Sequence, residues 1–430
     1  MSDGSRAGLL RPPVTAHWSR FSRRAALAAA LLLPWAGGAQ SPSGFLLDFS
    51  EAERSMILQH GPWPPPAVTD PSNRVSGKPE AIALGERLFF EPRLSAAGTV
   101  SCATCHIPEK SWTDGRKLAA GLAEADRNTP TLFNVRTQRW FGWDGSNDNL
   151  WSQSMRPLLD AREMGTDERR VAQLVRGDAE LACRYEKVFG ARPHATDDES
   201  VMVGVGKALA AFQETLVSGR TAFDEFRDAL ARGDQKAAIR YPLDAQRGLR
   251  IFVGRGNCSL CHFGPNFTHG EFHEAGIPVF KKTGGVDWGR YDGIKRLRAS
   301  RFNLLGPFND DPVRAPGTST RHVALLPQTF EQFKVPTLRN IALTAPYMHN
   351  GHLATLADVV RHYSNIDPTL LHVAHMYFDP LVPDAVPTDT LLKPLGLTSL
   401  QISYVVAFLD TLTDTGGSMP RKPIAPAPCR

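Results

Sequence analysis

The chain has 430 residues, 42% of them apolar and 22% charged, a balance that excludes a disordered or fibrous polypeptide. Its formal charge of +5 would fit a nucleic-acid binder, but residues 1–39 hold five arginines (Arg6, Arg11, Arg20, Arg23, Arg24) against one aspartate. That leader accounts for most of the surplus, and the argument for a polyanionic partner goes with it.

Taken in chain order, the Arg-rich start, the apolar run from Ala25 to Trp35 and the small residues Gly37, Gly38 and Ala39 form the three parts of an export signal, with cleavage expected near Ala39. The run falls short of the ~20 residues a membrane helix needs, so the mature protein is expected in the periplasm without a membrane span. Pro62 to Pro66 and residues 72–77 read as loop, followed by a helix over 80–90 with Ile82, Leu88 and Phe89 inward. Apolar periodicity predicts helices over 169–189 and 198–230, broken near Pro193 and Gly219, and another over 244–254. Residues 263–335, rich in Gly, Pro, Asn and Asp, read as long loops around a cofactor. A helix from Leu356 to Ser364 opens on Thr355-x-x-Asp358, a capping box, and a C-terminal helix over 398–413 places Tyr404, Val405, Phe408 and Leu412 on one face. Strand patterns are scarce. The fold is expected to be mainly α.

Cysteine usage points to the chemistry. Four of six cysteines fall into Cys102-Ala-Thr-Cys105-His106 and Cys258-Ser-Leu-Cys261-His262, both Cys-x-x-Cys-His, the c-type haem attachment signature. Chance would supply about 0.003 such motifs in a chain of this composition. Two thiols one helical turn apart reach the two vinyl groups of one haem, and the adjacent His points at its iron. A zinc site or a thioredoxin-like pair would be the other readings. Cys183 and Cys429 read as a buried thiol and a tail residue, with a bridge between them left open. The two motif histidines lie about one domain apart, which predicts tandem haem domains: 1–39 export signal, 40–235 first haem domain, 236–415 second haem domain, 416–430 tail.

What fills each sixth coordination position decides between electron transfer and chemistry. Between His106 and Cys258 the only other histidine is His194, in a polar stretch that reads as a solvated loop, so the first haem is expected to be open. For the second, Met348, His349, His352, His362, Tyr363 and Met376 are candidates. Tyr363 lies on the inward face of its helix with Leu356, Val359 and Val360, and by that pattern reads first as a core tyrosine; His362 is rotated about 100° away.

The two haem motifs, Arg127-Asn128-Thr129-Pro130-Thr131, Trp143-Asp144-Gly145, and Val335-Pro336-Thr337-Leu338-Arg339-Asn340 continuing to Pro346-Tyr347-Met348-His349-Asn350-Gly351 together resemble the bacterial di-haem cytochrome c peroxidases, most closely the MauG-like enzymes. The resemblance covers nearly the whole mature chain. Taken singly, Trp143 would read as a core aromatic and Glu163 as a solvated charge. The family's spacing implies instead a tryptophan between the haems at Trp143, distal-pocket residues Gln153 and Pro157, and a catalytic glutamate at Glu163. It also implies a calcium ion held by Asn128 and the carbonyls of Thr344 and Pro346, hard oxygen donors suited to that ion.

The histidine that blocks the first haem in many of these peroxidases has no counterpart in residues 117–125. At the distal position of the second haem, methionine in the electron-accepting peroxidases, the resemblance places Tyr363, as in MauG-like enzymes. The implied function is a peroxidase that uses hydrogen peroxide to build a high-valent di-haem state and oxidises a partner protein. The alternatives are a conventional peroxidase fed by a small cytochrome c or cupredoxin, and a non-enzymatic di-haem electron carrier. Residues 300–306 resemble the MbnH-like branch, whose target is a tryptophan on a copper-binding partner. A surface tryptophan that MauG carries two residues before its second motif is replaced by Gly256, so any route to a partner differs; Trp140, Trp151 and Trp288 are the candidate relays.

Overall fold

The computed structural model describes residues 44–367, 391–414 and 429. The export signal over 1–39, Met376 and the tail other than Cys429 lie outside the described residues. The longer helices are α1 (Glu51–Leu58), α2 (Pro79–Phe89), α3 (Leu150–Leu159), α4 (Glu168–Gly177), α5 (Ala179–Phe189), α6 (Asp198–Gln213), α7 (Ala222–Arg232), α8 (Leu243–Val253), α9 (Arg290–Ala299), α10 (Leu356–Ser364) and α11 (Ser399–Asp410). Among the described residues, sheet is confined to one antiparallel pair, Phe272–His273 against Phe333–Lys334. The fold is mainly α. None of these helices is long and apolar enough to cross a membrane.

Two apolar cores organise the chain, and each carries one haem motif at its edge. The first draws Leu84, Leu88 and Phe89 from α2, Trp151, Met155 and Leu158 from α3, and Val205, Leu209 and Phe212 from α6, with Cys102 packed against it. The second joins Leu249 and Phe252 of α8 to Val405, Phe408 and Leu409 of α11, with Cys258 against it. Their construction repeats. A Cβ on Gly85 of α2 would meet the Ala208 carbonyl oxygen at 1.9 Å, and one on Gly248 of α8 would meet that of Tyr404 at the same distance. Only glycine lets the helix leading into each motif cross its partner this closely. Phe212 and Phe408 take the same place at the two crossings.

Phe49 and Ile57 near α1, and Phe223, Phe226 and Leu230 of α7, pack into the second core. The tandem division had put both segments with the first haem motif. Hydrophobic contact, not chain order, decides their place.

Local signals redraw several predicted elements. The segment 169–189 divides at Asp178, whose carboxylate caps α5 by accepting from the Glu180 and Leu181 N–H groups. The break expected near Gly219 falls between α6 and α7, where the Asp414 carboxylate accepts the Gly219 N–H at 2.7 Å and leaves no room for a side chain. The loop region 263–335 contains α9 and the strand pair. Residues 72–77 are loop, but Ser72 and Asn73 are buried, held by Trp151 Nε1 and the Lys207 carbonyl. Cys183 is not a buried thiol: it is half-exposed and disulfide-bonded to Cys429.

Candidate active site

The two motifs are built alike. Cys102–Cys105 form one helical turn closed by a Ser101–Thr104 capping box, and Cys258–Leu260 form a tighter turn entered through Asn257 at φ +54°. In both, the histidine Nδ1 bonds a backbone carbonyl: His106 to Trp112 at 2.9 Å, His262 to Phe267 at 3.0 Å. Trp112 and Phe267 each have positive φ, which turns their carbonyls inward. That bond places the proton on Nδ1 and leaves Nε2 as the metal-binding nitrogen.

Burial lowers both imidazoles, His262 to about 4, so they are neutral, as a metal ligand must be. Burial also pushes the thiols up, Cys102 and Cys258 to about 12 and Cys105 to about 11. Thiols held in the neutral form suit the uncharged thioethers of haem c. None of the four is in a disulfide, so all are free for attachment.

Helix α3 sorts the residues beside the first motif. Gln153, Arg156 and Pro157 fall at i, i+3 and i+4, one face of the helix. Pro157 lacks the N–H that would bond the Gln153 carbonyl, and the helix ends two residues later. The Gln153 side-chain oxygen accepts from Asn147 at 2.9 Å. The chain then turns through Asp160, which accepts from the Glu163 N–H at 3.0 Å. Leu122 and Ala123 pin the turn by donating to the Glu163 and Arg162 carbonyls. A side chain on Gly121 would strike the Glu163 backbone at 2.4 Å. Glu163 lies close enough to influence the charge state of Cys102, Cys105 and His106. Its Oε1 accepts from Arg156 at 2.6 Å.

Trp143 is anchored at both ends, its indole N–H to the Asn128 carbonyl and its own carbonyl to the Lys334 N–H, each 2.8 Å. Beside it, Arg127 bridges Asp144 at 2.6 Å and Asp287 at 2.7 Å. Burial would raise the Asp144 carboxyl, but Arg127 and Arg296 hold it far below the usual carboxylate range.

The candidates around the second motif separate by their contacts. His362 Nε2 is taken by the Ala275 carbonyl at 2.7 Å. His349 stacks flat on Phe333 at 3.6 Å, and burial pushes it down to about 3. His352 is exposed, and Met348 packs against the second core. Tyr363 is within electrostatic reach of Cys261 and Cys258; burial, with those two thiols adding to it, pushes its phenol well above the usual range. His194 is exposed on the short turn Pro193–Ala195.

Comparison with known proteins follows these lines. The family profile of the di-haem cytochrome c peroxidases matches residues 79–234. The methylamine utilization protein MauG of Methylorubrum extorquens is 34% identical over 287 residues, 66% of this chain and 69% of that protein. The chain belongs to the di-haem cytochrome c peroxidase and MauG family. Another relative, the cytochrome-c peroxidase IdrP2 of Denitromonas iodatirespirans, is 31% identical across 79% of this chain and 83% of its own. A crystal structure of a MauG-like protein associated with microbial copper homeostasis superposes with a TM-score of 0.58 at 26% identity, covering 83% of this chain and 96% of that one. A variant of the diheme peroxidase BthA from Burkholderia thailandensis gives 0.60 at 25% identity, covering 83% and 90%.

Membership of this peroxidase family implies two covalently bound haem c groups, and the paired cradles fit them. Cys102, Cys105 and His106 would hold one, Cys258, Cys261 and His262 the other. For the expected calcium, the Asn128 N–H donates to the His349 carbonyl at 2.8 Å, and a side chain on Gly351 would meet the Lys117 carbonyl at 2.4 Å. The segment following Thr344 and Pro346 thus runs against the loop that carries Asn128.

Two features escaped the sequence reading. Arg156, the partner of Glu163, stands next to the implied Pro157 but belongs to no motif by itself. Arg339 is fully buried and forked onto Asp224 at 2.8 and 2.9 Å, with Nε on the Pro265 carbonyl at 2.7 Å and its plane 3.7 Å above Trp63. An arginine directly after Val335-Pro336-Thr337-Leu338 was the available signal.

Proposed function

We propose that this protein is an exported, periplasmic di-haem c enzyme that uses hydrogen peroxide to oxidise a partner protein, as a MauG-like enzyme does. The observation that carries this reading is Tyr363, a buried phenol within electrostatic reach of Cys261 and Cys258, at the position where the resemblance would put methionine in a peroxidase fed by a small donor. A thioether stabilises reduced iron and suits a port for incoming electrons, whereas a phenolate favours the oxidised states. When bound, the two haems supply the redox chemistry, taking up two electrons' worth of oxidising power from peroxide and holding it.

The chain supplies the proton handling. Arg156 tethers Glu163 Oε1, leaving Oε2 to accept a proton from the peroxide and return it to the departing oxygen. One H2O2, with two protons and two electrons, leaves as two waters. Gln153 and Pro157 border the same helix face, and Trp143 would relay electrons between the two haems. A calcium ion on Asn128, Thr344 and Pro346 would brace the junction. Export is supported by the Arg-rich apolar leader and by the Cys183–Cys429 disulfide, which belongs in an oxidising compartment.

The second reading, a conventional peroxidase drawing electrons from a small cytochrome c or cupredoxin, is favoured by the relative named cytochrome-c peroxidase. Mixing the diferric protein with peroxide, with no prior reduction, separates the two. A long-lived oxidised spectrum is expected; brisk turnover with reduced cytochrome c in place of that spectrum assigns the conventional role. In the same stopped-flow experiment Glu163→Gln is expected to slow the peroxide reaction by about 10² or more. Unchanged kinetics would remove Glu163 from the mechanism.

A further inference from the structure

A partner protein too large to enter a haem pocket would deliver its electrons through the chain, and Gly256 removes the tryptophan of the route implied by resemblance. The three candidate tryptophans have different surroundings. Trp151 is fully buried, with Lys207 Nζ 5.2 Å from its ring centre. Trp140 is 3% exposed and has the buried Arg290 guanidinium 4.4 Å over its face. Its indole N–H goes to Glu271, a carboxylate also engaged by Arg139. Both cations are compensated, Lys207 by Asp310 at 2.6 Å and Arg290 by the Glu271 carboxylate on the Trp140 indole, so what sets these two rings apart is that neither opens to the surface where a partner protein would dock.

Trp288 is placed differently. It packs with Trp143 against one apolar cluster, Val279, Val286 and Phe333. The stretch 331–334 ties the two together: the Glu331 N–H bonds the Trp288 carbonyl at 3.3 Å, the Phe333 ring sits in the cluster, and the Lys334 N–H bonds the Trp143 carbonyl. A Cβ on Gly289 would meet the Gln332 carbonyl oxygen at 2.4 Å, so the two segments are in direct contact. Outward, Trp288 meets Phe330 edge to face at 5.0 Å between centroids, and Phe330 stacks on Tyr291 at 4.0 Å and 25°. Trp288 and Tyr291 are half-exposed, Phe330 is buried between them, and Lys295 lies 5.4 Å from the Tyr291 ring centre in the solvated helix α9.

We propose that Trp288 and Tyr291, bridged by Phe330, are the exit through which oxidising equivalents pass from the Trp143 cluster to a protein-borne aromatic donor docked over the start of α9. The proposal rests on the partner-oxidising reading above. For each peroxide reduced to two waters, two electrons move inward in successive single steps. Each leaves Tyr291 or Trp288, Tyr291 releasing its phenolic proton to solvent, and each vacancy is refilled by one electron from the partner, with Tyr291 taking its proton back from solvent.

Without a partner, the vacancies stay on these side chains and end as hydroxylated or cross-linked products by reaction with water, dissolved dioxygen or each other. The test uses the haem-loaded full chain, hydrogen peroxide, no reductant and no partner, with visible spectra recorded during the reaction and peptide mapping by mass spectrometry afterwards. Oxidation is expected on Trp288 and Tyr291 ahead of Trp140 and Trp151. Trp288→Phe should lose most of the Tyr291 modification per peroxide consumed, and Trp140→Phe should keep it. A protein that responds spectrally but marks Trp140 or Trp151 instead, or whose Tyr291 is modified equally in Trp288→Phe, overturns the exit alone. A diferric protein whose spectrum ignores peroxide overturns the underlying reading and the exit with it.

Discussion

Replacing Arg339 with methionine removes a buried cation that joins Asp224, Pro265 and Trp63. Its side chain is 0% exposed and that of its partner Asp224 is 2%, so neither end of the pair is screened by water. Methionine restores most of the apolar volume but leaves the Asp224 carboxylate buried and unpaired, a change that costs about 3–5 kcal/mol. Loss of the Nε bond to the Pro265 carbonyl adds about 1 kcal/mol. At about 2–4 °C per kcal/mol, the melting temperature should fall by about 10 °C or more. Pro265 lies two residues before Phe267, whose carbonyl orients His262, so the second haem's ligand should loosen as well. Guanidinium unfolding of the haem-loaded protein, followed by far-ultraviolet circular dichroism and by the Soret band, measures the loss. The double variant Arg339→Met/Asp224→Asn removes both charges and should recover about 2 kcal/mol. A single variant that loses less than about 1 kcal/mol, or a double variant as unstable as the two singles summed, would refute the reasoning.

Gly248→Ala should destabilise by about 1–3 kcal/mol or more, since its methyl would meet the Tyr404 carbonyl at 1.9 Å. Gly177→Ala, at a helix end with open space around it, should be neutral or stabilising by about 0.4–1 kcal/mol; equal effects in denaturant unfolding would dismiss the close-crossing argument. Burial pushes His349 from 6.5 down to about 3, so between those values the unfolded chain binds the extra proton. Stability from this group is therefore complete above pH 6.5 and falls as the pH drops toward 3. His349→Phe keeps a ring on Phe333 and should flatten that acid slope; parallel slopes would assign the loss to other groups. Tyr363→Met should raise the potential of the second haem and make the peroxide reaction depend on prior reduction; an unchanged redox titration would mean that Tyr363 does not reach that metal.

The haem motifs were legible because covalent attachment demands a fixed local spacing, and the helices that carry them because their apolar faces repeat every three to four residues. The break at Asp178 was legible in principle, since an Asp one residue after Gly177 is both a stop and a cap. The Cys183–Cys429 pairing was not, because its separation of 246 residues carries no local pattern. Tyr363 shows the same limit: helical phase put it on an inward face but could not say what lay across from it.

From sequence alone came the chemistry of attachment, the mainly helical class and the order of elements, all governed by neighbours within a few bonds or one helical turn. Tertiary structure decided which segments share a core, that Arg156 meets Glu163, that Arg339 is buried on Asp224, and that Trp288 packs with Trp143 against one apolar cluster. These depend on contacts between residues distant in the chain and on the field of buried charges, and both come into being only when the polypeptide folds.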